Sequence, residues 1–202
     1  QSGISKFSAT ELAKQLSGKS AHASVGVGAY EHAVNASGSP KDIETILQLM
    51  YLNFTAPRFD ETDLQNLKNM YVPYFRNMEV DPGYLMGKAF TETLYKNHPR
   101  RQATTADQIE SLNIETLARV HKQLFSYADD FRFVIVGNVD LKTLKPLVEK
   151  YIGSLPTSNS VKYAVVDDGV RFAEGEVTND FRVAMQQPKV SVYLTYNGAI
   201  EN

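Results

Sequence analysis

Four histidines are the residues of this sequence best suited to bind a metal or to transfer protons: His22, His32, His98 and His121. A catalytic zinc site generally needs two histidines at helical spacing together with an acid, and no two of the four are spaced in that way. Glu31 and His32 match the end of the inverted zinc motif H-x-x-E-H, but Gly28 stands where its first histidine would be. On a predicted strand the side chains of Glu31 and His32 would also point to opposite faces. The pattern therefore predicts no zinc site.

The remaining histidines have structural interpretations. His121 shares a predicted helix face with Leu117 and Leu124, which is typical of a hydrogen-bonded histidine in or near a core. His98 lies in a turn beside Arg100 and Arg101. These two arginines could hold a carboxylate, although a solvated loop is the simpler interpretation.

Other reactive groups lack the neighbours that catalysis requires. The chain has no cysteine, which excludes thiolate ligands, cysteine nucleophiles and disulfides. The segment 26–28 has two glycines but neither the third glycine nor the helix of a dinucleotide-binding loop. No histidine–acid pattern or nucleophile elbow surrounds the three serines considered as nucleophiles, Ser24, Ser37 and Ser126. We expect no catalytic, cofactor-binding or metal-binding residue in this chain.

Composition narrows the class of protein further. The 202 residues are 43% hydrophobic and 22% charged, with a formal net charge of -2, which is typical of a folded globular chain. That charge balance does not favour nucleic-acid binding. No stretch approaches the roughly 18 apolar residues of a membrane span.

The elements that would position these residues alternate between helices and extended runs. Ser8 to Glu11 form a capping-box pattern before a short helix. Residues 23–27 and 30–34 predict an antiparallel hairpin, and 131–137 predict the central strand of the sheet, buried enough that Ile135→Asp would unfold the domain. Helices are predicted at 40–53, from Asp60, from Asp81, from Asn113 over 115–126, and from Asp140. The first of these helices carries an apolar stripe of Ile43, Ile46, Leu47, Met50 and Tyr51. The Asp60 helix should bury Leu64, Leu67, Tyr71 and Tyr74 and be kinked or ended by Pro73.

These elements predict an α/β fold of the α+β type, in which helices cover one face of a mainly antiparallel sheet in two layers. Small polar residues at 156–160 indicate a domain boundary. We therefore expect one domain at 1–156 whose beginning is missing. Residues 157–202 would be a linker and the first strands of a following domain, at 181–185 and 190–196.

Several stretches together resemble the insulinase or pitrilysin family of zinc metallopeptidases. The likeness lies in 7–12 with 16–19, 38–44, 51–60, 131–140 and 151–156. Active domains of that family carry H-x-x-E-H and a glutamate on a later helix. Here the helix after Asp60 has Asn66, Lys68 and Asn69 but no glutamate beyond Glu61. The sequence is therefore similar to the inactive second-half domain of bacterial members.

The resemblance implies a non-catalytic domain that forms part of a substrate-enclosing chamber, with zinc in the catalytic half of the same polypeptide. It also implies an unfolded peptide as substrate and a location in the bacterial periplasm or cell envelope. A stand-alone, non-enzymatic binding or assembly subunit is the alternative. An upstream H-x-x-E-H in the gene would favour the first hypothesis, and a short gene without it would favour the second. The apolar alternation at 190–196 further predicts a homodimer formed through the C-terminal strands, with folding back of this segment on its own domain as the alternative.

Overall fold

The computed structural model describes residues 3–158 and 166–198. The chain divides into two compact units. Unit 1 comprises Gln1–Leu67 and Leu112–Ala164, and unit 2 comprises Lys68–Ser111 and Val165–Asn202. Both units are therefore discontinuous in sequence.

Unit 1 contains the strands and most of the helices. Its elements are β1 (Gly3–Ile4), β2 (Phe7–Ser8), α1 (Ala9–Gln15), β3 (Ala21–Val27), β4 (His32–Gly38), a 3-10 turn (Pro40–Asp42), α2 (Ile43–Thr55), the start of α3 (Glu61–Met78), α6 (Ile114–Phe125), a second 3-10 turn (Ala128–Asp130) and α7 (Leu141–Tyr151). In the described ranges the sheets are two antiparallel pairs, β1 with β2 and β3 with β4. Helix α2 contacts both strands of the second pair.

Unit 2 is built from helices and irregular chain. It contains the rest of α3, α4 (Pro82–Leu94), a 3-10 turn (Pro99–Arg101) and α5 (Ala106–Glu110). The described residues from 166 onward have no helix or strand. No helix in 3–158 or 166–198 is both long enough and apolar enough to cross a membrane.

Four predicted helix starts are confirmed by their caps, whereas the helix predicted from residue 40 begins at Ile43, after the 3-10 turn. Ser8 and Glu11 form the reciprocal capping box of α1. Asp81, Asn113 and Asp140 accept hydrogen bonds from backbone N–H groups in the first turns of α4, α6 and α7. Each cap satisfies a donor that has no partner within its own helix.

The register of the hairpin β3–β4 shows which backbone N–H and C=O groups of each strand bond to the other strand and which point away from it. Val25 lies opposite Val34, and Ala23 lies opposite Ala36. Below the turn, the N–H of Gly28 donates to the carbonyl of Glu31 at 2.8 Å. In an antiparallel pair the hydrogen-bonded positions alternate. The odd-numbered residues of β4 therefore bond to β3, and the backbone groups of the even-numbered residues point to the outer edge.

The core of unit 1 lies beneath α2. Its buried members come from α2, α6, α7 and the turn that follows α7: Leu47, Met50, Phe54, Phe125, Tyr151 and Leu155. The predicted apolar stripe of α2 is confirmed, since Ile46, Leu47 and Met50 are buried. Rings reinforce this core, because Phe54 meets Phe131 edge-on at a centroid distance of 4.9 Å.

The predicted central strand at 131–137 is wrong, because the structure gives those residues no ladder partner. Phe131 and Phe133 do pack against the core. Val134 and Val136, however, are 74% and 92% exposed. Ile135, which was expected to be buried, is 41% exposed. Apolar content alone does not make a strand, because a strand also needs a hydrogen-bonded neighbour.

The description of α3 also needs correction. Of the four side chains predicted to be inward, only Leu64 is buried, while Leu67, Tyr71 and Tyr74 are 40–54% exposed. The helix continues through Pro73 to Met78. An interior proline removes one backbone donor, and here the helix is not ended by that loss.

The two C-terminal strands predicted at 181–185 and 190–196 are likewise not formed among the described residues. The apolar side chains of the second segment are open to solvent, with Val190, Val192, Leu194 and Tyr196 between 77% and 92% exposed. The period-two pattern is present, but no sheet edge pairs with it.

Candidate functional site

His121 is the histidine whose burial and pKa the fold changes most. It lies on α6, is buried, and stacks on Phe125 at a centroid distance of 5.0 Å. Its Nε2 lies 3.0 Å from the main-chain oxygen of Asn53, so the neutral ring donates an Nε2–H to that carbonyl. Burial lowers the pKa of the imidazole, because the charged form loses its hydration. This geometry is that of a structural histidine, as the sequence predicts.

Asn53, which is fully buried, continues this polar group into the core. Its Nδ2 donates to the carbonyl of Leu49 at 2.7 Å, one helical turn earlier. Its Oδ1 has no donor among the described residues. A buried acceptor without a donor is costly and is uncommon in folded proteins.

The other histidines lie in separate elements. His22 lies on β3 opposite Ser37 on β4. His32 begins β4, with its ring 6.3 Å from that of Phe125. His98 caps the 3-10 turn, where its Nδ1 accepts from the N–H of Arg100 at 3.2 Å. Within 3–158 and 166–198, no three side chains from histidine, aspartate and glutamate are grouped as metal ligands.

The two arginines beside His98 have partners within unit 2. Arg100 Nη1 lies 3.7 Å from a carboxylate oxygen of Asp168. The guanidinium of Arg101 lies over the ring of Tyr95 at 5.1 Å. The carboxylate held by this turn is therefore one of the chain's own.

The remaining candidates serve the backbone. Ser24 lies on β3, and Ser126 follows α6, where its hydroxyl donates to the carbonyl of Lys122. Gly28 closes the hairpin turn, where a Cβ would lie 2.8 Å from the oxygen of Glu31. This close approach explains the glycine without any phosphate ligand.

A groove of about 510 Å³ opens in unit 1, and we name it the strand groove. One wall is β4 and the other is the extended segment 130–137. Its floor is α2, with Ile46, Leu47 and Met50 among the lining side chains. Both walls are thus extended backbone, and the floor is hydrophobic core.

A second cavity, of about 920 Å³, lies within unit 2. It is lined by the Met86 and Phe90 face of α4 and by residues between 173 and 197. Phe90 faces Tyr193 at a centroid distance of 6.0 Å. The N–H of Ala173 donates to the carbonyl of Leu94 at 2.8 Å and joins the two walls.

The sequence did not reveal either cavity, because both depend on which segments lie side by side. One signal was present, since Val134 and Val136 give the run 131–137 a second apolar face. A strand that is apolar on both faces requires cover on both faces. In chemical terms the two cavities offer apolar side chains and extended backbone for recognition.

A helical layer over a small antiparallel hairpin defines a domain of the α+β class. Residues 111–200 match the family described as the peptidase M16 inactive domain. This match, with the similar proteins and solved structures below, confirms the resemblance seen in the motifs and the α+β fold class.

The similar proteins are bacterial and longer. The chain is 25% identical over 159 residues to the Escherichia coli (strain K12) protein named "Probable zinc protease PqqL", covering 79% of this chain and 17% of that protein. The solved structure of the Escherichia coli periplasmic protease PqqL superposes with a TM-score of 0.68 at 25% identity, covering 79% of this chain and 18% of that one.

A structure described as the peptidase M16 inactive domain from Pseudomonas fluorescens superposes with a TM-score of 0.62 at 20% identity. The match covers 80% of this chain and 40% of that one, and it shows a shared fold. The chain thus spans less than a fifth of the Escherichia coli relative.

Proposed function

We propose that this chain is the non-catalytic domain of a longer zinc metalloprotease, in which it helps to enclose an unfolded peptide substrate and supports the catalytic half. The match of residues 111–200 to the inactive-domain family carries the proposal. Zinc, the general base and the H-x-x-E-H motif would lie in another part of the polypeptide. We place the protein in the periplasm, because the similar Escherichia coli protease is described as periplasmic.

We retain 1–156 as the inactive peptidase-like domain and 157–202 as a linker with the first strands of the next. When the chain is alone, the alternating residues 190–196 should pair with an edge of a second copy and form a two-fold dimer. Their high exposure supports this proposal. Light scattering at high micromolar concentration should give a dimer for the full chain and a monomer for a chain ended after residue 160, and two monomers would refute the idea.

The central test compares the 202-residue chain with the whole polypeptide encoded by its gene. Metal analysis without a histidine tag should find about one zinc per whole polypeptide and no tightly held zinc in the 202-residue chain. A labelled unfolded protein should be cleaved only by the whole polypeptide. Deleting this domain should abolish cleavage while zinc is retained.

Three results would count against the proposal. One tightly bound zinc in the 202-residue chain, lost in His32→Ala or His121→Ala, would show a metal site here. Full cleavage without this domain would exclude a role in substrate confinement. A gene without H-x-x-E-H would favour the stand-alone binding subunit.

A further inference from the structure

We infer that the strand groove is the seat of one additional β-strand, supplied by another part of the same polypeptide, which pairs with the outer edge of β4. The occupant would be an extended segment with apolar side chains at alternate positions. The inference rests on the proposed function only in requiring a polypeptide longer than these 202 residues. It concerns the described residues of unit 1 alone.

The outer edge of β4 supplies the hydrogen-bonding groups. The N–H of Ser39 donates to the carbonyl of Ser20 at 2.8 Å, and that of Gly28 donates to Glu31 at the other end. With the register between them, these bonds direct the backbone groups of His32, Val34 and Ala36 away from β3. All three residues line the groove. A strand edge of this kind is a template for pairing with another segment.

The opposite wall has the side-chain pattern of a strand without its ladder. Phe131 and Phe133 pack against the core, whereas Val134 and Val136 are largely exposed. Phe131 has extended dihedral angles, φ -116° and ψ 146°. A strand lying between this wall and β4 would pair with both and complete a continuous sheet. Residues 131–137 would then lie inside that sheet, which is where a run that is apolar on both faces is expected.

The size of the groove fits one strand. β4 has 7 residues, which corresponds to about 23 Å of extended chain at roughly 3.3 Å per residue. A volume of about 510 Å³ is small for a helix with its side chains and suits a short extended segment. Alternate side chains of that segment would reach Ile46 and Met50 on the floor.

The exposed apolar side chains of the opposite wall favour a permanent occupant over a transient ligand. Val134 and Val136 line the groove and are 74% and 92% exposed when it is empty. An occupant that left repeatedly would return them to water each time, at a cost in apolar burial. The Escherichia coli relative is about six times as long as the matched part, since that part is 17% of it, so further polypeptide is a ready source of a strand.

Backbone hydrogen exchange tests the inference directly. The amides of His32, Val34 and Ala36 should exchange at least about 100-fold more slowly in the whole polypeptide than in the 202-residue chain. The amides of Ala33 and Asn35 already bond to β3 and should be protected in both. Equal exchange of the outward amides in the two proteins would overturn the inference.

A matched pair of proline variants identifies the edge. Ala36→Pro removes an outward donor on the groove side, and Ala23→Pro removes the opposed donor on the far edge of the same hairpin. In the whole polypeptide, Ala36→Pro should return His32 and Val34 to fast exchange, by at least about tenfold, while Ala23→Pro should not. Equal effects of the two variants would refute pairing at β4.

The same exchange measurements show whether the added strand comes from the same polypeptide or from a second copy. Protection of the outward amides that rises with the concentration of the 202-residue chain would mean that a second copy fills the groove, and would overturn the assignment to the same polypeptide. A gene that encodes nothing beyond these residues would do the same. Protection in a whole polypeptide that lacks zinc would support the inference while refuting the zinc protease proposal.

Discussion

Phe125 should be the most sensitive apolar position of unit 1, and its truncation to alanine measures how far the core depends on ring packing. The side chain is 1% exposed. Its ring stacks with His121 at 5.0 Å and with Phe131 at 5.6 Å, and it meets Phe54 at 6.1 Å. Phe125→Ala removes the central ring of this cluster and leaves a cavity that helices α2 and α6 cannot readily close.

The expected loss in the free energy of unfolding is about 3 to 5 kcal/mol, the range for a buried phenylalanine replaced by alanine. We expect the upper half of that range, because four ring neighbours, including His32 at 6.3 Å, lose their partner and each aromatic pair contributes roughly 0.5 to 1.5 kcal/mol beyond area burial. For a chain of this length each kcal/mol shifts Tm by about 2 to 4 °C, so Tm should fall by about 8 to 20 °C.

Differential scanning calorimetry and urea unfolding both measure this loss. Phe90→Ala is the matched control, because Phe90 is 37% exposed and has one described ring contact, with Tyr193. That control should lose about 1 kcal/mol or less. Two results would refute the assigned core. One is a Phe125→Ala protein whose Tm lies within 2 °C of the parent. The other is a Phe90→Ala protein whose Tm is lower than that of Phe125→Ala.

Polar and half-exposed positions of unit 1 give three further expectations. Asn53→Leu should raise the free energy of unfolding by about 1 kcal/mol, as measured by urea unfolding. It removes the buried Oδ1, which has no donor among the described residues, and gives up only the hydrogen bond from Nδ2 to Leu49. A lower free energy of unfolding in the variant would contradict this. Stability should fall as the pH drops below 6.5 towards the lowered pKa of His121, because the unfolded chain takes up a proton that the buried ring resists. His121→Gln keeps an N–H donor but does not titrate, so the decrease in stability below pH 6.5 should disappear when unfolding is measured against pH. If the variant shows the same decrease, another group causes it. Ile135→Asp should cost about 1 to 2 kcal/mol without unfolding the 202-residue chain, because Ile135 is 41% exposed and loses only its partial burial; a variant that is unfolded would support the buried strand predicted from the sequence.

Local signals in the sequence predicted what local physics controls. Features that depend on a few neighbouring residues are all formed: the capping box at Ser8, the caps at Asn113 and Asp140, and the hairpin around Gly28. The apolar stripe of α2 and the buried position of His121 followed from helical spacing in the same way. These are features in which sequence distance and spatial distance agree.

The failures involve partners distant in sequence. Residues 131–137 have the composition of a central strand, but composition does not say which strand lies beside them. The outward Tyr71 and Tyr74 of α3 have the spacing of a buried face, yet no described neighbour buries them. For the same reason the second apolar face of 131–137 was not enough to predict the strand groove, which exists only once β4 and 130–137 both lie beside α2.

The division of unit 1 into two stretches of chain has a consequence for synthesis on the ribosome. Residues up to Leu67 emerge first, and they include α2 with its apolar stripe. The side chains that cover this stripe, Phe125, Tyr151 and Leu155, lie beyond an inserted segment of 44 residues, from Lys68 to Ser111. The nascent chain must therefore hold α2 without these three side chains for several seconds at about 5 to 20 residues per second. During that interval the stripe is covered only by what the hairpin provides, and the chain is a natural client for chaperones that bind exposed apolar helices.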